Sequence, residues 1–374
     1  MKILILSCNT GEGHNAAGKA VKEAAIAAGH EADLIDAMQL KSHHTSRVVS
    51  GLYIGIVNHC PRFFGFIYKL GGLISNRHVK SPVYWANTRL ARKFDTCITE
   101  GHYDIVVTPH LYPAETLTYM KRHHMLSVKT VAIGTDYTCI PFWEETDCDY
   151  YVIPHEDLIP EYVKRGVPAE KLLPWGIPVN HAFTVPTDKA AARKRCKLPM
   201  EAPIFLIMSG SMGFGKLAVF ALALSKQCKN QEHIVIICGN NQKIRVALKR
   251  EFRKNDRVHI LGYTTHVATY MDACDVIFTK PGGLTSTESL VKEIPTIHTA
   301  PIPGCETKNS AFFVERGLSY ASKYMVEQIR LGMLLIKSND LQQEMRTSQE
   351  KERKPEAAAH IIHLLEELTS CENI

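Results

Sequence analysis

Residues 2–14 read Lys2-Ile3-Leu4-Ile5-Leu6-Ser7-Cys8-Asn9-Thr10-Gly11-Glu12-Gly13-His14. The run over 2–7 is short and continuously apolar, the pattern of a strand covered on both faces. A glycine turn follows. From about His14 onward Ala17, Ala20, Val21, Ala24, Ala25 and Ala28 recur at i, i+3, i+4 and i+7, which predicts a helix that Gly29 stops. Residues 31–36 resume as a strand. Strand, glycine turn, helix and strand make a βαβ unit, which implies a parallel sheet and a right-handed crossover.

The same grammar continues along the chain. Strand-like runs over 104–108, 129–134 and 150–153 alternate with helical patterns. A second series begins at 204–209 and continues through 234–238, 258–261, 276–279 and 296–298, with helices of 10–15 residues between them. The Pro- and Gly-rich stretch 175–199 separates the two series and reads as a hinge. Residues 339–374 are helical and amphipathic, broken at Pro355. The expected architecture is α/β: two Rossmann-like domains over 1–178 and 179–355, with a C-terminal helix over 356–374. In such sheets ligands sit beyond the carboxyl ends of the strands, so two facing domains would share one cleft.

Composition narrows the class. With 45% hydrophobic and 22% charged residues in 374, there is enough apolar side chain to build two cores, and disorder is excluded. Eleven cysteines are an odd number without C-x-x-C or zinc-ligand spacing, so reduced thiols packed as small hydrophobes are expected, as in an intracellular protein. The apolar start is too short for a signal-peptide core, and no apolar stretch approaches the length of a membrane span. The net charge of +6 is modest but local. Residues 41–93 hold nine Lys/Arg and no Asp or Glu, whereas the other 321 residues carry 35 basic against 38 acidic groups.

Three glycine-rich loops follow strands and open helices, the context that gives such loops meaning. The first, Gly11-Glu12-Gly13-His14-Asn15-Ala16, has the form of a dinucleotide fingerprint, with Asp36 placed for a ribose. His14 sits in the first helical turn, where the partial positive charge of the helix start disfavours imidazolium; this suits a general base better than a phosphate ligand. The second loop is Ser209-Gly210-Ser211-Met212-Gly213-Phe214-Gly215, and the third is Lys280-Pro281-Gly282-Gly283-Leu284-Thr285-Ser286. Neither is a P-loop, which leaves kinase and ATPase chemistry unsupported. Small residues there let backbone N–H groups approach an anion at a helix start. Three such loops point to a diphosphate held between domains.

These residues resemble a known group. The stretches Thr10–Lys19 and Asp272–Asn309, above all Thr279-Lys280-Pro281-Gly282-Gly283 and Ser286-Thr287-Glu288-Ser289-Leu290, are similar to glycosyltransferase family 28 of the monogalactosyldiacylglycerol-synthase and processive diacylglycerol-glucosyltransferase type. More distantly, the chain resembles the N-acetylglucosaminyltransferase of peptidoglycan synthesis. The resemblance spans nearly the whole chain and implies a GT-B fold, a UDP-sugar donor in the C-terminal domain and a lipid acceptor at the N-terminal one. It implies that Glu288 grips the ribose hydroxyls, that Gly283, Leu284 and Thr285 form the diphosphate turn, and that Gly262 and Tyr263 face the uracil edge. Gly210 and Ser211 join the donor site, Glu306 and Asn309 lie near the donor-sugar hydroxyls, and His14 and Asp136 are the catalytic residues, with Asp136 either orienting His14 or acting as the base itself. Relatives often have Gln where Cys305 stands, and a thiol is a poor hydrogen-bonding substitute, so the donor sugar stays open between glucose and galactose.

The basic block interleaves Arg62, Lys69, Arg77, Arg89 and Arg92 with Phe63, Phe64, Phe66, Tyr84 and Trp85. Single-stranded nucleic acid stacks on such mixtures, but the run Phe63–Tyr68 is more apolar than a stacking groove needs. It suits the boundary of an anionic membrane. The expectation is therefore a peripheral enzyme on the cytoplasmic face of the membrane that binds anionic lipids and no nucleic acid. It would transfer a hexose from UDP-glucose or UDP-galactose to diacylglycerol by inverting displacement, without cofactor or metal. Two alternatives stand beside it: an NAD(P)-linked oxidoreductase using the first loop and Asp36, and a non-catalytic membrane-surface protein that binds UDP-sugar.

Overall fold

A computed structural model describes residues 1–9, 12–40, 51, 55, 65, 70–71, 80–208 and 217–370. Chain packing divides it into two units. The first comprises residues 1–181, 303–305 and 354–374; the second comprises 182–302 and 306–353.

The first unit is built on six parallel strands, β1 (Lys2–Ser7), β2 (Glu31–Asp36), β3 (Ile105–Thr108), β4 (Lys129–Ile133), β5 (Tyr150–Val152) and β6 (Leu172–Leu173). Their order is β2-β1-β3-β4-β5-β6, and every pair is parallel. The apolar run at the start is continuous because both faces of β1 are covered. Ile3 and Ile5 pack with Val21, Ala25, Ile361 and Leu365, while Leu4 and Leu6 pack on the other side with Phe94, Leu117 and Met120. The helix Glu12–Ala27 lies close to the sheet because Gly18 has no side chain. A Cβ there would stand 2.9 Å from Leu34 Cδ1 and 3.3 Å from Ile5 Cγ2. Gly29, at φ +83°, ends the turn that leads into β2.

The helix Ala357–Ser370, separated from Asn339–Glu352 at Pro355 as the sequence predicts, belongs to this first unit. Its Ile361, Ile362, Leu364 and Leu365 complete the core on the Ile3 face. Each such side chain contributes about 1.5–3 kcal/mol on burial.

The second unit repeats the plan with β7 (Ile204–Met208), β8 (His233–Ile237), β9 (Val258–Leu261), β10 (Val276–Thr279), β11 (Thr296–His298) and β12 (Tyr320–Ala321). The strand order, β12-β11-β10-β7-β8-β9, is the doubly wound Rossmann order. Phe205, Ile207, Ile234, Ile236 and Phe278 pack beneath Phe220, Leu224, Ile329 and Leu335.

Strand ends agree with the sequence pattern to within one residue. The two-residue strands β6 and β12 are too short to leave a period. The Pro- and Gly-rich stretch 175–199 holds two short helices, His181–Thr184 and Lys189–Cys196, with the boundary between units falling at 181–182. Among the described residues, no helix is long and apolar enough to cross a membrane.

Candidate active site

In each sheet the strand order reverses direction at one place, where crevices open beyond the strand ends. In the first unit that place lies between β1 and β3. The first turn of the helix Glu12–Ala27, which follows β1, carries His14, and the loop after β3 carries Pro109 and His110. His14 Nδ1 lies 2.9 Å from the Pro109 carbonyl oxygen and 3.0 Å from Thr135 Oγ1. A carbonyl only accepts, so the proton resides on Nδ1 and Nε2 keeps its lone pair. Burial lowers the His14 pKa, opposed by the negative charge of Asp136 and the Pro109 bond. The product is a neutral imidazole with one basic nitrogen.

Asp136 follows β4 in Gly134-Thr135-Asp136-Tyr137 and acts on His14 through its charge. Thr135, its neighbour, supplies the hydroxyl beside Nδ1. Asp36 accepts from Asn9 Nδ2 at 2.7 Å and from its own turn at Met38 N at 3.0 Å, so its carboxylate orders the loop after β1.

In the second unit the reversal lies between β7 and β10. The loop after β7, with Gly210 and Ser211, falls outside the described residues. The loop after β10 runs into the helix Gly283–Val291, whose N-cap is Gly282 and whose first turn has no side-chain cap. Thr287 Oγ1 and Ser289 Oγ bond back to the helix carbonyls of Gly283 and Thr285, and Ser286 Oγ turns to His298. The leading main-chain N–H groups at Gly283, Leu284 and Thr285 are thus the free end of a helix dipole, the usual seat of a phosphate.

Glu288 sits one turn further along. Burial pushes its carboxyl up to about 8, and no charge or hydrogen bond among the described residues offsets that. Such a group gains from hydroxyl donors. Glu306 accepts from Ile302 N at 2.6 Å, and its Oε1 lies 3.9 Å from where a Cβ on Gly282 would be. Asn309 is fully buried and donates to the Pro281 carbonyl at 3.1 Å, so it holds the loop in place. Gly262 directly follows β9, and a Cβ there would meet the Arg245 guanidinium at 3.3 Å; Tyr263 beside it is exposed.

Three further supports stand around these residues. Lys280, inside the third loop, is drawn below the usual lysine range by burial, with Glu306 acting against the shift. His298 is buried between Ser286 Oγ and Ser319 Oγ, both at 3.0 Å, and burial drives it down to about 3, so it bridges the hydroxyls as a neutral ring. Pro109 contributes only a carbonyl, which side-chain motifs do not encode.

Of the basic, aromatic block, Arg62, Phe63, Phe64, Phe66, Lys69 and Arg77 lie outside the described residues. Trp85 lies on the helix Pro82–Thr88 and is 56% exposed. The start and the buried side of that helix are tied down. Ser81 N and Oγ donate to the buried Glu145, and Asn87 Nδ2 donates to the buried Glu115. Arg89 and Arg92, just beyond Trp85, are exposed.

Residues 14–179 match the family model described as monogalactosyldiacylglycerol (MGDG) synthase, and residues 204–361 match that of the glycosyltransferase family 28 C-terminal domain. The chain is 30% identical over 210 residues to a processive diacylglycerol beta-glucosyltransferase of Staphylococcus saprophyticus, a match covering 55% of this chain and 53%, about half, of that relative. A protein of the same description from Bacillus cytotoxicus is 24% identical over 367 residues, 97% of this chain and 93% of its own. The crystal structure of Acinetobacter baumannii MurG is similar in fold, with a TM-score of 0.65 at 14% identity over 98% of this chain and 99% of that one.

Proposed function

We propose that this chain, which belongs to glycosyltransferase family 28 of the monogalactosyldiacylglycerol-synthase and processive diacylglycerol-glucosyltransferase type, moves a hexose from a UDP-sugar to diacylglycerol at a membrane surface. The observation that carries the chemistry is the contact of His14 Nδ1 with the Pro109 carbonyl oxygen, 2.9 Å away. With Nδ1–H committed to the Pro109 carbonyl, Nε2 takes the proton of the acceptor hydroxyl. The hydroxyl oxygen attacks the anomeric carbon as its bond to the UDP oxygen breaks, in one inverting displacement. UDP leaves with the electron pair. The N–H groups at the start of Gly283–Val291 meet its growing charge, and Glu288 accepts from the ribose hydroxyls. The scheme needs no cofactor besides the UDP-sugar co-substrate, and glucose and galactose both suit it.

Steady UDP release that requires both a UDP-hexose and diacylglycerol vesicles is the expected result. A protein that binds UDP but releases none would be a sensor, and one stabilised by NAD rather than UDP would be an oxidoreductase.

An acceptor that stays in the bilayer requires the enzyme to come to it. The block over 41–93 supplies cationic and aromatic groups for peripheral binding to anionic lipids on the cytoplasmic face. Each basic side chain near such a surface contributes about 1 kcal/mol. The combined change Trp85→Ala, Arg89→Glu and Arg92→Glu should weaken sedimentation with anionic vesicles by at least roughly tenfold. Activity on detergent-dispersed acceptor should be retained. Unchanged vesicle binding would remove these three residues from the membrane face.

A further inference from the structure

We propose that His110 is a positioning residue for His14: it fixes the carbonyl that orients the basic imidazole, and its ring, set against His14, lets the pair hold one proton but not two. The proposal rests on His14 being the base.

The carbonyl belongs to Pro109, and the residues on either side of it are locked. Thr108 Oγ1 donates to Leu6 O on the neighbouring strand at 2.8 Å and lies 3.0 Å from His110 O, while His110 N donates back to Thr108 Oγ1 at 3.2 Å. His110 is also the N-cap of the helix Leu111–Arg122, in extended backbone, with Nδ1 accepting from Tyr112 N at 3.1 Å. Pro109 is therefore clamped between a strand end and a helix start. Its carbonyl has one direction in which to face, and His14 Nδ1–H follows it.

The ring contact adds the second part. The His14 and His110 centroids lie 4.5 Å apart at an interplanar angle of 68°. His110 must keep Nδ1 unprotonated to cap its helix, and it is only 6% exposed. Burial and the proximity of His14 hold its pKa well below the ordinary range. The groups facing the pair are Asp136 and Thr135 from the loop after β4, which attend His14, and the Tyr112 ring, 4.7 Å from His110. Asp136 favours a proton on His14; a second positive ring beside it is opposed. The proton taken from the acceptor thus stays on His14 until it leaves the site.

Two variants separate capping from ring contact. Asn serves well as an N-cap, so His110→Asn keeps the cap and removes the ring, whereas His110→Ala removes both. His110→Ala should lose about 10–100-fold in kcat, as a base displaced by a fraction of an ångström does, with KM for the UDP-sugar and the UDP Kd unchanged. His110→Asn should recover most of that loss. The acid limb of its kcat/KM profile should move to higher pH by about 0.5–1 unit, because a side chain smaller than the ring relieves the burial that lowers His14. If the Ala variant fails to fold, the Asn profile carries the test alone. Wild-type kcat with an unmoved limb in His110→Asn overturns the proposal, as does an Asn variant as slow as the Ala one with its limb unmoved. The failure of His14 itself is read separately: an active His14→Ala protein removes the premise, whatever the His110 variants do.

Discussion

Replacing His14 by Ala is expected to lower kcat about 10²–10⁴-fold, the ordinary worth of a positioned base, while the UDP Kd stays at its wild-type value. The split follows from where the residue stands. His14 lies beyond β1 of the first unit, and the groups assigned to UDP lie beyond β10 of the second. The pH profile of the wild-type enzyme carries the same information. Burial lowers the His14 pKa, so the basic form persists below the ordinary imidazole value of 6.5 and turnover holds as the pH falls toward it. Activity then declines on the acid side as Nε2 takes up a proton. His14→Ala should lose this limb along with the rate. A variant with wild-type turnover would transfer the role of base to another group, Asp136 first.

Replacing Glu288 by Gln is expected to weaken UDP by on the order of 10²-fold, since hydrogen bonds to a charged group contribute about 1.5–3 kcal/mol each and the ribose offers two hydroxyls. This carboxyl is pushed up to about 8 by burial, so near pH 7 most of the unliganded protein carries it protonated. The anion is the better acceptor for two donors. UDP should therefore bind about tenfold more tightly at pH 9 than at pH 7, with proton release on binding. Isothermal titration in buffers of different ionisation enthalpy reads both effects. Glu288→Gln should flatten the pH dependence.

The effect on stability has the opposite sign. Between the unfolded value of 4.5 and about 8 the folded chain holds a proton that the unfolded chain has released. This contribution is fully present below 4.5 and is lost as the pH rises through 8. A carboxyl that stabilises the fold only when protonated and binds ligand best when ionised is consistent with a binding residue.

Most of this was legible in the chain because parallel strands buried on both faces write themselves as unbroken apolar runs. Lys2–Ser7 and Ile204–Met208 are such runs, and the glycine loops after strands mark where ligands collect. His14 could be singled out because its position in a first helical turn has a physical consequence of its own. What surrounds it could not. Pro109 acts through a main-chain carbonyl, and Thr135 reaches His14 from 121 residues away, from the end of β4, two strands over from β1. The Ser286–His298–Ser319 bridge likewise joins hydroxyls that only the sheet brings together. The placement of the helix Ala357–Ser370 on the first unit was equally invisible: its apolar stripe announces a buried face but not the sheet that buries it.

The central claim, a single base-assisted displacement onto a lipid hydroxyl, meets its most direct test in the anomeric proton coupling of the glycolipid formed from UDP-glucose and diacylglycerol vesicles. UDP-glucose is α-linked, so a β-linked hexosyl-diacylglycerol is the predicted product. An α-linked glycolipid, or UDP consumed with no sugar on the lipid, would contradict it.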